Sequence, residues 1–429
     1  MFDSAPQYLR SYYSESLGSS PALHPTLQEN LEVDVAIVGA GFTGLYTAIR
    51  LAQAGQKVAI VEASRVGWGA SGRNGGQLVL GFSCDMPPFE AALGLVGARA
   101  VWQLVREAAQ EIRNLIHEHQ IDCDLRNGHL WTSVLQRRVK LLHEWQQKAA
   151  HKWGYEDLQF VGKADLPQYI DSARYQAGLI DPHGGQLHPL KYVLGLAQLA
   201  TRLGVRIFEQ TRAKQIEEQP FKVLVHTPQG CLRAQNLVLA CNAYIDKLYP
   251  PLQAKVLPVG TYIIATEPLG PERARSLLPT GLAVTDNQFI LDYFRLSADH
   301  RLLFGGKCTY TGHTPRNLAQ SMRADMLRVF PQLQDVRIDY AWGGHIDITM
   351  NRAPDFGHEG AIYWAQGFSG HGIVPSCVAG RVLANAILGN DSELKLFEGI
   401  PHHRFPGGEK LAGLMQVAGM SYYRLRDYF

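Results

Sequence analysis

The alternation of apolar and polar positions is clearest over residues 33–62, VDVAIVGAGFTGLYTAIRLAQAGQKVAIVE. The apolar run at 35–38 predicts a short buried strand. Apolar residues at 45, 48, 49 and 52 are spaced as one buried face of a helix, and the run at 58–61 predicts a second strand. The pattern therefore predicts a strand, a tight turn, a helix and a second strand.

Three glycines occupy the turn of this unit, and each has a separate physical role. Gly39 permits the tight turn, Gly41 lets the backbone approach a pyrophosphate, and Gly44 lets the helix lie close to the strand. The helix amides then point towards an anion. Glu62 ends the second strand, where a carboxylate accepts hydrogen bonds from a ribose hydroxyl and disfavours a phosphorylated ribose. The unit predicts a dinucleotide site and leaves NAD and FAD as alternatives.

A glycine-rich segment follows directly, ASRVGWGASGRNGGQLVLG, with five glycines between positions 67 and 76. So many glycines indicate backbone that is pressed against something flat or anionic, although a purely structural loop has the same composition. NAD-binding folds normally continue from the acidic residue into another strand and helix. This ribbon, residues 63–81, therefore favours a ligand longer than the ADP half of a dinucleotide.

The middle of the chain alternates between helical and strand patterns. The spacing predicts helices at 91–119, at 136–153 and ending near 203, a hairpin arm at 223–236, and a buried parallel strand at 237–240. From 256 onward the period becomes two, which predicts antiparallel strands at 261–266, 289–296 and 301–304 with a turn at 297–300. A helix at 321–330 follows, and residues 336–342 return towards the first domain. These segments predict a second domain.

The last informative stretch is AIYWAQGFSGHGIVPSCVAGRVLANAILG, residues 361–389. A strand at 361–365 leads into a loop with Gly367, Gly370 and Gly372, and a helix begins directly after it. Two separate helix starts with exposed backbone suit FAD: the first receives the pyrophosphate and the second the pyrimidine edge of the flavin. There the helix dipole stabilises the negative charge that grows on reduction.

Composition narrows the class of protein. The chain has 429 residues, 46% hydrophobic and 19% charged, with a net charge of +2, and it holds no basic stripe that would indicate a nucleic-acid partner. We expect no signal peptide in the polar arm at 1–32 and no membrane span at 361–380, where glycines and a proline interrupt the apolar run. Six cysteines without a CxxC pair indicate reduced thiols, a cytoplasmic location and no metal site.

These motifs together resemble the D-amino-acid oxidase type of FAD-dependent oxidoreductases, a superfamily that includes sarcosine and glycine oxidases. The similarity rests on VDVAIVGAGFTGL, VEASRVGWGASGRNGGQL, GGQLHP, LVLACNAY and FSGHG. Further motifs are similar to the members of that superfamily that oxidise gamma-glutamylated polyamines: SYYSES, QIDCD, LDYFRLSADHRLLFGG, FPGG and a terminal YYRLRD.

The resemblance implies an α/β fold in which a discontinuous Rossmann-like FAD-binding domain carries a second, antiparallel-sheet α+β substrate domain. We place the FAD-binding domain at 1–90, 155–250 and 340–429, and the substrate domain at 91–154 and 251–339. The implied reaction is oxidation of the terminal amine of a gamma-glutamylated polyamine to an imine, which water converts to an aldehyde and ammonia. Dioxygen then reoxidises the flavin to give hydrogen peroxide.

The resemblance also assigns the cofactor contacts. The residues that would contact the pyrophosphate are Gly39, Gly41, Phe42, Thr43 and Gly44, and those that would contact the adenosine are Glu62, Ala63 and Ala213. The residues along the ribityl chain and the ring would be Ser71, Arg73, Asn74, Gly75, Gly76 and Gln77. The pyrimidine would be contacted by Gly370, His371, Gly372 and Ile373. Some relatives attach the flavin through a cysteine. Because Asp347, Ile348 and Thr349 stand near that position, we expect noncovalent FAD.

Amine oxidation by hydride transfer needs a substrate carbon near the flavin and a deprotonated nitrogen, which an aromatic wall favours. The candidates for that wall are Tyr262, Phe289, Tyr293, Trp342 and Trp364, each of which equally suits a hydrophobic core.

Four polar residues are candidates for a role in the reaction or in substrate binding. Lys307 follows the paired glycines where related oxidases place a lysine that activates dioxygen, but a solvated lysine at a strand end explains it as well. Arg352 is a candidate for the glutamyl carboxylate or for a structural ion pair. His371 is a possible base, or a contact to flavin O2, and Gln77 would lie near the reactive edge.

Four alternatives to this function remain open at this point. A dehydrogenase of the same fold would pass electrons to a quinone or a protein instead of dioxygen, and a sarcosine or glycine oxidase would take another amine. Relatives of this fold also modify tRNA bases, which the near-neutral charge argues against. A noncatalytic flavoprotein is the last alternative. We expect a small amine and dioxygen as partners, with no nucleic acid and no membrane.

Overall fold

A computed structural model describes residues 7–288, 290–309 and 314–405. The candidate Phe289 and the terminal YYRLRD motif therefore lie outside the described residues, as does FPGG after its first residue.

Ten α-helices, numbered in chain order, are found in the described residues: α1 (Tyr12–Glu15), α2 (Phe42–Gln53), α3 (Pro87–Glu118), α4 (Val139–Trp153), α5 (Pro189–Arg202), α6 (Pro250–Gln253), α7 (Pro271–Leu277), α8 (Leu318–Val329), α9 (Ile373–Ile387) and α10 (Ser392–Glu398).

The same residues form two sheets from seventeen strands: β1 (Asn30–Val38), β2 (Val58–Val61), β3 (Gln77–Leu78), β4 (Arg126–Ser133), β5 (Gln159–Gly162), β6 (Ala177–Gln186), β7 (Arg206–Phe208), β8 (Gln215–Gln219), β9 (Lys222–His226), β10 (Cys231–Leu239), β11 (Leu257–Thr266), β12 (Ala283–Asp286), β13 (Tyr293–Leu296), β14 (Leu302–Thr309), β15 (Ile338–Ile348), β16 (Asp355–Glu359) and β17 (Ile362–Gln366).

The first sheet has the order β16-β17-β10-β1-β2-β7, and the β8–β9 hairpin arm joins it along β10. All neighbours from β17 to β7 run parallel, whereas β16 pairs antiparallel with β17, and β9 of the hairpin arm pairs antiparallel with β10. Helices α2, α5 and α9 pack together beside it. Gly380 of α9 permits close packing on α2, because a Cβ there would lie 2.3 Å from Cβ of Tyr46. The predicted Rossmann-like sheet, including the parallel strand at 237–240, is confirmed.

The second sheet has the order β15-β11-β14-β13-β12-β4-β6-β3, with β5 paired to β6. Its neighbours are antiparallel apart from β12 and β4, which run parallel with Val284 opposite Leu130. The predicted mixed α/β fold is confirmed. The parallel pairing of β12 with β4 was not predicted, because period-two alternation does not distinguish parallel from antiparallel strands.

Strands β3, β5, β6 and most of β15 lie in segments that the sequence analysis gave to the FAD-binding domain, yet they pair in the second sheet. The chain therefore passes between the two sheets more often than the predicted boundaries suggest. The boundaries themselves stay a prediction, because both sheets share one large hydrophobic core.

The arm before β1 is also part of that core. Tyr13 of α1 is fully buried, its ring lies edge-on at 5.2 Å from Trp342, and its hydroxyl accepts a hydrogen bond from Arg295 at 3.1 Å. Burying a tyrosine against these partners fixes the arm across the second sheet. The sequence analysis described this segment as a polar arm and used its SYYSES motif only for the family resemblance.

Among the described residues no single helix has the length and apolar composition needed to span a membrane. Only α9 and α10 taken together reach that composition, across a bend of 120°.

Candidate active site

A cavity of about 1300 Å³ runs from the first glycine turn to the late glycine loop and on to the face of α4. Its lining comes from both sheets, from the glycine-rich ribbon and from the loops after β10 and β15. Single small-molecule sites are commonly about 300–1,000 Å³, so this volume suits an extended cofactor together with a substrate.

The first glycine turn is shaped by close backbone contacts. Gly39 has a φ of +109°, and a Cβ there would lie 2.5 Å from the carbonyl oxygen of Ala240. A Cβ at Gly44 would lie 2.0 Å from the carbonyl oxygen of Gly39, so only glycine lets α2 begin this close to β1. Helix α2 starts after Gly41 without a side-chain cap, and Gly41 and Thr43 line the cavity. The positive end of the helix dipole therefore lies at the cavity.

Glu62 stands where the fingerprint places its acidic residue. Its carboxylate accepts hydrogen bonds from the amides of Ala40 at 3.0 Å and Ser64 at 2.8 Å. Burial raises the pKa of Glu62, and these two amides oppose that rise. Two carboxylate oxygens offer about four lone-pair positions, so the side chain that braces the turn retains acceptor capacity for a ribose hydroxyl.

The ribbon is braced by its own side chains. Asn74 donates to the carbonyl oxygens of Ala70 and Ser71, and its amide oxygen accepts from the amide of Gly76 at 2.8 Å. Ser71 accepts a hydrogen bond from the amide of Phe42 at 2.9 Å, which ties the ribbon to the start of α2. The Asn74 and Ser71 side chains therefore hold this part of the cavity wall in shape.

Arg73 lies on the same ribbon over the ring of Trp68, with the guanidinium carbon 4.0 Å from the ring centroid. Burial lowers the pKa of Arg73, which still leaves a guanidinium charged at neutral pH. The ribbon thus brings a fixed positive charge to the cavity.

The late glycine loop is held by a buried carboxylate. Asp347 is fully buried and accepts hydrogen bonds from the amides of Gly367 and Phe368 and from the side chain of Asn242 at 3.0 Å. Its own carbonyl oxygen accepts from the amide of Ser369 at 2.9 Å. Burial raises the pKa of Asp347 to about 7, against these hydrogen bonds. Asp347 therefore positions the loop that ends at α9.

His371 lies on that loop, directly before the uncapped start of α9 at Gly372. Burial and the charge of Arg352 lower the pKa of His371 to about 4, so its ring is neutral at pH 7. Its Nδ1 is buried and has no hydrogen-bond partner within the described part of the chain. An unpaired buried polar atom beside a cavity indicates a partner that the protein itself does not supply.

Gln77 lines the cavity, but its side-chain amide is engaged by the second sheet. Its nitrogen donates to the carbonyl oxygen of Val284 at 3.0 Å, and its oxygen accepts from Thr285 Oγ1 at 2.8 Å. Thr285 Oγ1 lies 3.0 Å from Nε2 of the fully buried His129. Both ends of the Gln77 side-chain amide therefore already have hydrogen-bond partners. In the structure Gln77 anchors the ribbon on β12.

Lys307 also lines the cavity, yet its ammonium is bonded to α8. It donates to Asp325 at 2.7 Å, to the Ser321 hydroxyl and to the Ser321 carbonyl oxygen at 3.2 Å. The sequence analysis gave a solvated lysine at a strand end as the alternative to oxygen activation. In the structure the Lys307 ammonium instead forms an ion pair with Asp325.

Two of the predicted substrate residues lie in the cavity wall, Tyr293 and Arg352. The Tyr293 ring lies between Gly75 and Gly305, where a Cβ would come within 2.6 Å and 2.1 Å of its ring atoms. Two glycines thus make room for this ring.

Three other predicted wall residues lie elsewhere: Trp342 and Tyr262 are buried in a core, and Trp364 is partly buried against one. Trp342 is 1% exposed, and its indole nitrogen donates to the carbonyl oxygen of Arg73, behind the ribbon. The Tyr262 hydroxyl bonds Thr309 within the second sheet, and Trp364 donates to Asp355 beside the first sheet. The structure does not bring these three side chains to the cavity.

The predicted cofactor residues are otherwise brought together. Lining the cavity are Gly39, Gly41, Phe42, Thr43, Glu62, Ala63, Ser71, Arg73, Asn74, Gly75, Gln77, Ala213, Gly370, His371, Gly372 and Ile373. Gly44 and Gly76 lie behind the wall, where they permit close packing.

Sequence reasoning did not single out several lining residues as site residues. Trp131 on β4 and Trp145 on α4 both line the cavity, and Asn242 does so after β10. In sequence the tryptophans have the spacing of ordinary core positions, so no local signal separates them from the core. Asn242 lies within the quoted LVLACNAY motif.

Comparison with known proteins identifies the family. The family model described as "FAD dependent oxidoreductase" matches residues 34–386. The chain belongs to this family of FAD-dependent oxidoreductases. It is 38% identical to "Gamma-glutamylputrescine oxidoreductase" of Escherichia coli, over 98% of this chain and 99% of that protein. It is 40% identical to "Probable oxidoreductase OrdL" of Haemophilus influenzae, over 99% of this chain and 98% of that protein.

Solved structures share the fold of this FAD-dependent oxidoreductase. Glycine oxidase from Geobacillus kaustophilus is 22% identical, with a TM-score of 0.69 over 83% of this chain and 95% of that chain. L-proline dehydrogenase from P. horikoshii is 18% identical, with a TM-score of 0.71 over 87% of this chain and 96% of that chain.

The residues present fit the FAD of this family. Two helix starts without side-chain caps, at Gly41 and Gly372, open into the same cavity, and the buried Nδ1 of His371 has no partner among the residues that the structure describes. A Cβ at Gly372 would meet no atom within 4 Å, so backbone at that point faces open space. The FAD of this family therefore has a site of suitable volume and polarity in this chain.

Proposed function

We propose that this FAD-dependent oxidoreductase oxidises the terminal primary amine of a gamma-glutamylated polyamine, such as gamma-glutamylputrescine. The amine carbon and nitrogen lose two electrons and two protons to give an imine, and water converts the imine to an aldehyde and ammonia. Dioxygen takes up the two electrons and two protons as hydrogen peroxide. We place this reaction in the cytoplasm and in polyamine catabolism. Support comes from the full-length similarity to a gamma-glutamylputrescine oxidoreductase.

The observation that carries the proposal is the continuous cavity that joins both glycine turns and is also lined by the aromatic rings of Trp131, Trp145 and Tyr293. Bound FAD would supply the two-electron acceptor for the hydride of the amine carbon and the route by which the electrons reach dioxygen. The chain's own residues would position the substrate: Trp131 lies beside His371 of the late loop, with 6.3 Å between the ring centroids, and Tyr293 lines the same cavity. Aromatic walls disfavour an ammonium without a counter-charge and so favour the neutral amine from which hydride transfer proceeds.

His371 would support this step without taking a proton at neutral pH, because its pKa is lowered to about 4. Its neutral ring and the start of α9 would contact the pyrimidine edge, where the helix dipole favours a growing negative charge. Proton transfer from the substrate ammonium would then pass to water.

The test is anaerobic mixing of the purified protein with free and gamma-glutamylated putrescine, cadaverine and diaminopropane, followed at the flavin absorbance bands. We expect gamma-glutamylated amines to bleach the flavin fastest, and aerobic turnover to release one peroxide and one ammonia per aldehyde. Bleaching without peroxide on admission of air would instead support a dehydrogenase with another electron acceptor. Faster bleaching by glycine or sarcosine would contradict the substrate class.

A further inference from the structure

Two tryptophans line the cavity beside the late glycine loop and belong to none of the cofactor motifs. Trp131 lies on β4 and Trp145 on α4, and both side chains are half-buried. The ring centroid of Trp131 lies 6.3 Å from that of His371 on the late loop and 6.0 Å from that of Trp145. Trp131 and Trp145, here called the ring pair, therefore lead from the late loop to α4.

Neighbouring side chains hold the Trp131 ring in place. Its centroid lies 5.0 Å from that of His129, which is fully buried and bonded to Thr285 Oγ1 at 3.0 Å. The Trp145 ring meets Trp131 at 71°, and the His371 ring is tilted by 54° against it. The rings thus form a rigid corner, which suits the methylene chain of an extended ligand.

The seven tryptophans of the chain differ in what their indole N–H groups contact. Four of them donate to protein oxygens: Trp68, Trp153, Trp342 and Trp364. The indole nitrogen of Trp102 is buried without a partner in the described residues. The two indole nitrogens of the ring pair also have no hydrogen-bond partner among the residues that the structure describes, but they are not buried. Two accessible donors in a cavity wall indicate a ligand that brings an acceptor.

Leucines flank the ring pair on α4. Leu141 lies one helical turn before Trp145 and is 44% exposed, and Leu142 lies three residues before it and is buried. Both leucines line the cavity. They extend the apolar surface that the methylene groups of a ligand would cover.

We propose that the ring pair binds the amide of an N-acylated amine: the ring faces pack on the methylene chain, and the indole N–H groups donate to the carbonyl oxygen of the amide. The inference rests on the proposed function and adds the residues that recognise the acyl group. A carbonyl oxygen has two lone pairs, so it can accept from one indole or from both.

The length of the substrate agrees with this placement. Five bonds separate the reacting carbon of gamma-glutamylputrescine from the carbonyl carbon of its amide, which is about 6 Å in an extended chain at roughly 3.3–3.6 Å per three bonds. The ring pair begins 6.3 Å from the His371 ring. An amine held beside His371 would therefore bring its amide to the ring pair.

The indole donors also discriminate between amines. The distal group of free putrescine is an ammonium, which has three donors and no acceptor. It would leave the indole N–H groups unpaired and would itself lose hydration, whereas an amide offers an acceptor and carries no charge. The ring pair therefore favours acylated diamines through what it leaves unpaired in the competitor as well as through attraction.

The test replaces the indoles by rings without a donor, in Trp131→Phe, Trp145→Phe and the double variant. The concentration dependence of anaerobic flavin reduction gives the dissociation constants of gamma-glutamylputrescine and N-acetylputrescine. Competition gives that of n-heptylamine, which has the chain length and amine of N-acetylputrescine but no carbonyl group. We expect the dissociation constants of both amides to rise about 5- to 10-fold in the double variant, and that of n-heptylamine to change by less than about 3-fold.

Trp102→Phe, on α3 and outside the cavity lining, is the control for the loss of an indole ring. It should leave all three dissociation constants within about 2-fold of wild type. The limiting rate of flavin reduction should stay within about 3-fold of wild type in every variant, because the ring pair acts on the distal part of the substrate. Binding and chemistry are thereby separated.

Equal losses of affinity for the amides and for n-heptylamine would show that the substitutions only disturb packing, and would overturn the proposal. Unchanged affinity of the double variant for both amides would overturn it as well. Failure of the proposed function has a different signature: neither amide would bleach the wild-type flavin, while another amine would. The assignment of the ring pair to an amide would then fall with it.

Discussion

At the scale of single residues, the first glycine turn depends on backbone contacts that no other side chain permits. A Cβ at Gly44 would lie 2.0 Å from a backbone carbonyl oxygen, which has no freedom to move away. We expect Gly44→Ala to lower the free energy of unfolding by about 3 kcal/mol or more and to weaken FAD retention. Urea unfolding and the FAD content after dialysis measure both effects.

Gly162 supplies the matched control for that substitution. A Cβ there would meet no atom within 4 Å, and its φ lies outside the left-handed region. Gly162→Ala should leave stability and FAD content close to wild type. A fully stable, flavin-replete Gly44→Ala protein would contradict the packing described for the turn.

The buried carboxyl of Asp347 predicts a pH dependence of stability. Its pKa is about 7 in the folded protein and 3.8 in its ordinary state, so between pH 4 and 7 the folded chain keeps a proton that the unfolded chain has lost. The contribution of this group to stability is therefore present at low pH and is lost as the pH rises through 7, by at most about 1.4 kcal/mol per pH unit.

Asp347→Asn removes that titration while retaining a side-chain oxygen for the loop amides. Denaturant unfolding of both proteins at pH 5, 6, 7 and 8 gives the difference between their free energies of unfolding. The advantage of wild type over the variant should shrink from pH 5 to 7 and then level off. A difference that is constant over this range would contradict the buried, protonated state of Asp347.

At the scale of elements, Lys307 and Asp325 join β14 to α8. Because both side chains are largely buried, we expect Lys307→Met and Asp325→Asn each to destabilise the protein by about 1–2 kcal/mol, with the double variant losing less than the sum. Thermal or urea unfolding of the three proteins provides the coupling energy.

The same variants decide the oxygen-activation hypothesis for Lys307. On the structural account, the rates of flavin reduction and of reoxidation by dioxygen stay within a few-fold of wild type in both. A reoxidation rate that falls strongly in Lys307→Met alone, with reduction unchanged, would instead show that the lysine acts on dioxygen. Stopped-flow absorbance measures the two half-reactions separately.

At the scale of the whole molecule, the order of the cofactor motifs along the chain predicted much of the site. The turn at Gly39, the ribbon to Gln77 and the loop at Gly370 are local patterns with a physical reason for each glycine, and all three line one cavity. The parallel strand at 237–240 was predictable because a strand buried on both faces is apolar throughout.

Long-range partners were not predictable in the same way. Trp342 and Trp131 look alike in sequence, but one bonds the back of the ribbon and the other faces the cavity. Strand β6 pairs in the second sheet because of contacts with β4 and β5 that no local pattern encodes. The polar partners of Lys307 and Gln77 likewise come from distant elements.

The mode of cofactor attachment is a further prediction for the whole protein. Asp347, Ile348 and Thr349 stand where some relatives carry a linking cysteine, so acid precipitation should release the yellow colour into the supernatant. Colour that stays with the pellet would show a covalent bond and would require another attachment residue.

The central claim is that two helix starts, at Gly41 and Gly372, open into one cavity that holds a single FAD. The most direct measurement is the cofactor content of natively purified protein, from its absorbance spectrum and from chromatography of the released nucleotide. The structure predicts about one FAD per chain. Colourless protein that cannot take up added FAD would contradict the claim.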